Sequence, residues 1–140
     1  MTATDGLRVL VVEDEVFVAL ELECMLEEAG HSVVGTAASS VEAIALGERL
    51  RPELALVDIH LTDGPTGVAV AQALSRLNGI AILFTTANAK RVPEDLAGAL
   101  GIVAKPYSPR SLLAAVAYAA QVRAGAAPER VPDGLRLTAG

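Results

Sequence analysis

The stretch Leu54-Ala55-Leu56-Val57-Asp58, followed by Ile59-His60-Leu61-Thr62-Asp63-Gly64-Pro65-Thr66-Gly67, constrains this chain more than any other. Four consecutive apolar residues with no polar alternation describe a strand buried on both faces, which is how strands of a parallel sheet read. The Gly/Pro-bearing turn that follows places Asp58 at the strand's carboxyl end. In open α/β sheets that edge is where ligands bind. A carboxylate there is a candidate nucleophile or metal ligand, set against the plainer reading of a solvated turn aspartate.

The remainder of the chain supplies the context. Arg8 to Val12 reads as a first strand and runs directly into Glu13-Asp14-Glu15. From Val16 the apolar residues Val18, Leu22, Met25, Leu26 and Ala29 fall on one helical face, and Gly30 sits where a C′ glycine belongs. Asp14 could serve merely as the N-cap of that helix. His31 to Ala37 predicts a second strand, and Ser39 or Ser40 caps a helix that Arg51-Pro52 stops. A third helix is expected from Gly67 to Leu77, with Val68, Ala71 and Leu74 or Ser75 facing inward. A fourth strand is expected at Ile80 to Thr85, a short helix after Pro93, a brief fifth strand at Ile102 to Ala104, and a last helix from Ser108-Pro109 to about Ala124. In that last helix Leu112, Val116 and Ala119 are expected to face the sheet.

Five βα units without an interior linker predict a flavodoxin-like, doubly wound α/β fold with a five-stranded parallel sheet in the order 2-1-3-4-5. The expected organisation is an extension over residues 1–6, one domain over 7–124 and a tail over 125–140 that is too short for an output domain. With 11 basic against 17 acidic residues, a net charge of −6 and no basic cluster, direct nucleic-acid binding is not expected. No apolar run approaches the roughly 20 residues of a membrane span, no signal-peptide pattern opens the chain, and the lone Cys24 offers no internal disulfide. These features predict a cytoplasmic protein with no membrane association.

The strand order brings Glu13 and Asp14 beside Asp58. Three carboxylates at one edge repel each other unless a cation is shared. Mg²⁺ suits the role, because it takes one or two protein carboxylates and leaves positions for water and phosphate oxygens. Thr86, at the end of strand four, offers a hydroxyl to a phosphoryl oxygen, and Lys105, at the end of strand five, offers a compact positive charge. Asp58 is then the attacking oxygen in phosphoryl transfer, a reaction that asks mainly for positioning and charge neutralisation. Each group has a plain reading as cap, loop charge or surface lysine; their joint placement at four successive strand ends favours the phosphate site.

At this point LRVLVVEDE, LALVDIHL, ILFTTA and VAKPYS resemble the signature segments of the receiver domain of two-component response regulators, over residues 7 to about 124. The resemblance implies that Asp58 accepts phosphate from a histidine kinase or phosphotransfer protein and passes the signal to a downstream target protein. It implies a Mg²⁺ site made by Asp14, Asp58 and the backbone carbonyl of His60, with Glu13 acting through water. It also implies that Thr86 and Lys105 form the switch pair, that Lys105-Pro106 is a cis peptide, and that the protein is no enzyme beyond catalysing its own phosphorylation and dephosphorylation. His60 and Asn88 fall where family members tune the lifetime of the phosphoaspartate.

The sequence departs from the family in two places. The loop from Leu61 to Gly67 is one residue longer than the family's, and Ile102 stands where the family commonly carries an aromatic switch residue. The signal is therefore expected in the loop from Asn88 to Val92 and the short helix after Pro93. Two other functions compete. An aspartate-nucleophile phosphatase of the haloacid dehalogenase type would need an aspartate at position 60, where this chain has His60. A degenerate receiver would act as a phosphorylation-independent interaction module. Finally, Phe17, Leu20 and Cys24 recur at i, i+3 and i+7 on the first helix, opposite its expected buried face and flanked by Glu21, Glu27 and Glu28. They form a candidate contact stripe for a kinase or phosphotransfer helix, with a weak two-fold homodimer of an otherwise monomeric protein as the alternative.

Overall fold

A computed structural model describes residues 6–137, so residues 1–5 of the expected extension and 138–140 of the tail lie outside the described residues. The strands are β1 (Arg8–Val12), β2 (Ser32–Ala37), β3 (Leu54–Val57), β4 (Ala81–Thr86), β5 (Gly101–Ala104) and β6 (Leu135–Arg136). The α-helices are α1 (Val16–Glu28), α2 (Ser40–Leu50), α3 (Gly67–Ser75) and α4 (Pro109–Arg123). The sheet order is β2-β1-β3-β4-β5-β6, with β1 to β5 parallel as expected and β6 added antiparallel to β5. The segment after α4, expected to be a tail, thus contributes an edge strand.

Strand alternation divides the core into two layers. Leu10, Val12, Ala55, Val57, Ile82, Phe84 and Ile102 face α2 and α3. Val9, Val11, Leu54, Leu56, Leu83 and Val103 face α1 and α4. Every residue of β3 is buried, which follows from its central position with helices on both faces.

The helix ends follow local chemistry. After α1 the N–H of Gly30 donates to Glu27 O at 3.1 Å and that of His31 to Leu26 O at 2.9 Å, a Schellman closure that Gly30 permits with φ of +95°. Ser39 caps α2 by accepting from the Glu42 N–H at 3.2 Å, and Ser108 caps α4 by accepting from the Ser111 N–H at 3.0 Å. On α1, Leu22 and Leu26 are buried while Val18 and Met25 are partly so. Ala29, expected on that face, is exposed at the C-cap, where the chain leaves the helix.

The expected helix after Pro93 does not form. The β4–β5 connection carries only two 3-10 turns, Ala89–Arg91 and Leu96–Gly98. Asp95 Oδ1 accepts from the Ala97 N–H at 2.9 Å, a local bond that competes with helical pairing, and Leu96 and Ala97 take left-handed backbone angles of 58° and 52°. Their apolar side chains are nevertheless buried.

Candidate functional site

Strand register builds the site. Val12 lies opposite Val57 in the β1–β3 pairing, so Glu13, Asp14 and Asp58 leave the sheet side by side. Two backbone bonds extend the ladder past the strands: the Asp58 N–H donates to Val12 O at 3.0 Å and the Glu13 N–H to Ala37 O at 2.9 Å. Thr86 ends β4 opposite Ala104, and Lys105 follows at once, its N–H donating to Thr86 O at 2.8 Å. The sequence expectation that these side chains come from neighbouring strand ends is met in the backbone.

The plain readings lose ground one at a time. The N-cap of α1 is Glu15 with no side-chain cap bond, so Asp14 is not spent on capping. No α-helix follows Thr86 to be capped; its hydroxyl instead accepts from the Asn88 N–H at 3.0 Å. Lys105 is no free surface lysine: its Nζ donates to Glu13 Oε1 at 2.8 Å and to Asp58 Oδ2 at 2.9 Å. The cis peptide at Lys105-Pro106 is also present.

One carboxylate oxygen from each of Glu13, Asp14 and Asp58 lies within 4.8 Å of the other two. Asp58, 8% exposed, uses Oδ1 to accept from the Ile59 N–H at 2.7 Å. Glu13, 4% exposed, is anchored on its other side, where Oε2 accepts from the Glu15 N–H at 3.2 Å. Burial raises the Glu13 carboxyl above its ordinary value; Lys105 pulls the other way, and Asp58 adds to the rise. Burial alone would lower Lys105, but its bonds and charge interactions with Glu13 and Asp58 outweigh that and hold the ammonium above its ordinary range. Beside it, burial pushes the Tyr107 phenol up to about 12, with Lys105 opposing. An all-oxygen donor set of closely spaced carboxylates fits a hard cation of the Mg²⁺ kind, which prefers such ligands.

Three features escaped the sequence. First, Glu13 is the buried ion-pair partner of Lys105, across 92 residues of chain. Second, the long loop after β3 is clamped to the start of α2: Asp63 accepts from Ser40 Oγ at 2.6 Å, from the Ser40 N–H at 3.1 Å and from Thr66 Oγ1 at 2.6 Å. The Thr62 N–H and hydroxyl add bonds to Ala38 O at 2.9 and 3.0 Å. The Asp-Gly-Pro-Thr composition signalled a turn, but not what it would dock on. Third, Gly67 packs so tightly that a Cβ there would overlap the Asp58 carbonyl oxygen and stand 2.6 Å from Ile59 Cα.

The other singled-out residues are placed as follows. Ile102 is fully buried, in the same cluster as Phe84, Val92 and Leu96, and so links β5 to the β4–β5 connection. His60 is exposed. Phe17 is 85% exposed, Leu20 50%, and Cys24 is exposed as well, so the stripe on α1 faces outward. Among the described residues no helix is long and apolar enough to cross a membrane.

Comparison with known proteins agrees with this geometry. Residues 9–117 match the family model described as response regulator receiver domain. The chain is 31% identical over 121 residues to the phyllosphere-induced regulator PhyR of Methylorubrum extorquens, covering 85% of this chain and 45% of that protein. It is 25% identical over 115 residues to the chemotaxis protein CheY of Thermotoga maritima, covering 79% and 95%. Among solved structures it superposes on the receiver domain of the Erythrobacter litoralis PhyR response regulator with a TM-score of 0.78 and 27% identity, covering 93% of this chain and all of that one. With a PhyR from Bartonella quintana, described as an anti-anti-sigma factor, the TM-score is 0.74 and the identity 30%, over 86% of this chain and 49% of that one. The chain thus spans about half the length of the PhyR proteins it matches.

Proposed function

The chain belongs to the response regulator receiver domain family, and from that membership we propose that Asp58 is its phosphoacceptor, taking a phosphoryl group from a histidine kinase or phosphotransfer protein and signalling by protein contact from the cytoplasm. The observation that carries this is Lys105 bridging Asp58 and Glu13 beside Asp14, an arrangement that sets a reactive carboxylate between a fixed positive charge and a set of hard oxygen donors.

The chemistry requires little of the protein beyond placement. As Asp58 attacks, the bond from phosphorus to the donor imidazole nitrogen breaks, its electron pair returns to the ring, and a new bond forms from phosphorus to the Asp58 oxygen. The Ile59 N–H fixes one carboxylate oxygen through its bond to Oδ1. Lys105 supplies charge to equatorial phosphoryl oxygens, and the Thr86 hydroxyl, whose lone pair takes the Asn88 N–H, keeps its own proton to donate to one of them. Asp14, Asp58 and the His60 carbonyl would hold Mg²⁺, with Glu13 reached through water. Bound there, the ion would neutralise the cluster and the incoming phosphate charge. The exposed stripe of Phe17, Leu20 and Cys24, flanked by acidic residues, suits a donor helix that carries apolar and basic groups.

Incubation with acetyl phosphate tests the assignment. The unmodified chain is expected to take up alkali-labile phosphate only with Mg²⁺ present, and Asp58→Asn to take up none. Equal uptake by the variant would refute the assignment, and no uptake by the unmodified chain would favour a phosphorylation-independent module.

A further inference from the structure

The chain leaves the site through His60, whose carbonyl is one of the oxygens proposed for Mg²⁺, and enters the loop from Leu61 to Gly67. Backbone bonds close that loop at both ends. The Gly67 N–H donates to Ile59 O at 2.9 Å, and Leu61 and Gly64 exchange bonds of 2.9 and 3.1 Å. The Leu61 side chain is buried in the layer that holds Val57 and Ile59. His60 lies between these anchors with its side chain exposed, and its carbonyl accepts no hydrogen bond from the described residues. That oxygen is free to meet a cation, and the turn after it sets where it points.

The turn is tied to a different element. Asp63 is exposed, yet both its carboxylate oxygens are committed. Oδ2 accepts from the Ser40 hydroxyl at 2.6 Å, Oδ1 accepts from the Thr66 hydroxyl at 2.6 Å, and each lies 3.1 Å from the Ser40 N. Ser40 opens α2, where the first N–H groups have no partner within the helix and the dipole favours a negative charge. Asp63 thus braces the loop internally, through Thr66, and externally, against α2. It is not one of the three carboxylates clustered at the site. Mg²⁺ demands near-ideal octahedral geometry, so an oxygen held in place by its supporting groups serves it better than one on a loop that shifts.

We propose that Asp63 is a positioning residue of the metal site: by clamping the turn to the N-terminus of α2 it holds the His60 carbonyl in place for a cation bound by Asp14 and Asp58, without touching the cation. The inference rests on the reading of Asp14, Asp58 and His60 as the ligands. It adds that α2, which supplies no ligand, helps to set the affinity.

Mg²⁺ titrated calorimetrically into the full chain at pH 7 tests this. Asp63→Ala, with unchanged circular dichroism, is expected to bind Mg²⁺ at least five-fold more weakly. That is below the roughly ten-fold or greater loss typical of groups bonded directly to a ligand, because the Thr62 bonds to Ala38 remain. Asp63→Asn keeps an oxygen for Thr66 and the Ser40 N–H and offers an amide N–H to Ser40 Oγ, so it should restore binding to within two-fold of the unmodified chain. Ser40→Ala should weaken binding at least two-fold, and adding it to Asp63→Ala should cost nothing more, since both act through one network. A folded Asp63→Ala variant that loses less than five-fold overturns the proposal. Equal losses in Asp63→Ala and Asp63→Asn overturn it too, because they assign the effect to the charge of Asp63 and not to the clamp. Should Asp63→Ala fail to fold, Ser40→Ala decides: a loss of two-fold or more supports the clamp and a smaller one overturns it. No Mg²⁺ binding by the unmodified chain would overturn the reading of the ligands themselves, and the inference with it.

Discussion

Lys105→Met removes the cation that bridges Glu13 and Asp58 and leaves the Lys105 methylenes approximately replaced. In the native chain Lys105 contacts Glu13, whose side chain is 1% exposed, and Asp58, whose side chain is 11% exposed. Removing one partner of a fully buried ion pair costs about 3 to 5 kcal/mol, because the remaining charge stays buried without compensation. Here the ammonium end is at the sheet edge with 19% of its side chain exposed, so water can relieve part of the loss. A cost of about 2 kcal/mol is expected, which for a domain of this size lowers Tm by roughly 6 to 10 °C. The same variant should respond more strongly to Mg²⁺ than the unmodified chain does, since a divalent ion then meets an uncompensated cluster and binds only the folded state. Thermal unfolding at pH 7, with and without millimolar MgCl₂, reads both effects. A variant within about 0.5 kcal/mol of the unmodified chain, the range of ordinary surface substitutions, would refute the idea that Lys105 compensates a buried acidic pair. A Mg²⁺ response no larger than that of the unmodified chain would separate the lysine from the metal site.

Other perturbations probe different parts of the account. Gly67→Ala forces a methyl group against the Asp58 carbonyl and Ile59, and is expected to cost about 3 kcal/mol in denaturant unfolding while slowing phosphate uptake; a neutral effect on both would mean the loop is not held as described. The Ser40 hydroxyl, the Thr66 hydroxyl and the Ser40 N–H hold the exposed Asp63 carboxyl down to about 2 from an ordinary 3.8. Asp63 therefore stabilises the fold fully above 3.8 and loses that contribution as pH falls through about 2. Its NMR titration midpoint should move up towards 3.8 in Ser40→Ala, and an unmoved midpoint would show that the clamp is not made in solution. Phe17→Glu, on the exposed stripe of α1, should slow phosphotransfer from a partner protein and leave acetyl phosphate labelling unchanged; equal transfer from the partner would remove the stripe from the docking surface.

What the sequence revealed, and what it did not, follows from the range of the interactions involved. The unbroken apolar run of β3 and the abrupt aspartate after it are local signals, and with the right-handed crossover rule they were enough to predict which strand ends converge. The α1 stripe was also legible, because helical phase alone separates Phe17, Leu20 and Cys24 from Leu22 and Leu26. The Glu13–Lys105 pair was not, since the two residues are 92 positions apart and only the folded sheet decides which carboxylate the lysine reaches first. The strand β6 escaped for a related reason. Two residues show no alternation, and the pairing depends on Gly101 and on a socket built by α4. The segment after Pro93 misled in the opposite way: its Ala and Leu content favours helix, but the Asp95 side-chain bond and the glycine at 98, with φ of +88°, close it into a turn instead.

Chemical mapping of the phosphorylated residue tests the central claim most directly. The chain is labelled with acetyl phosphate and Mg²⁺, reduced with borohydride, which converts an aspartyl phosphate to homoserine, and digested for mass spectrometry. Homoserine at position 58 alone, and none when Mg²⁺ is withheld, is the predicted result. Reduction at Asp14, Asp63 or another carboxylate, or a modified position 58 formed equally well without the metal, would contradict it.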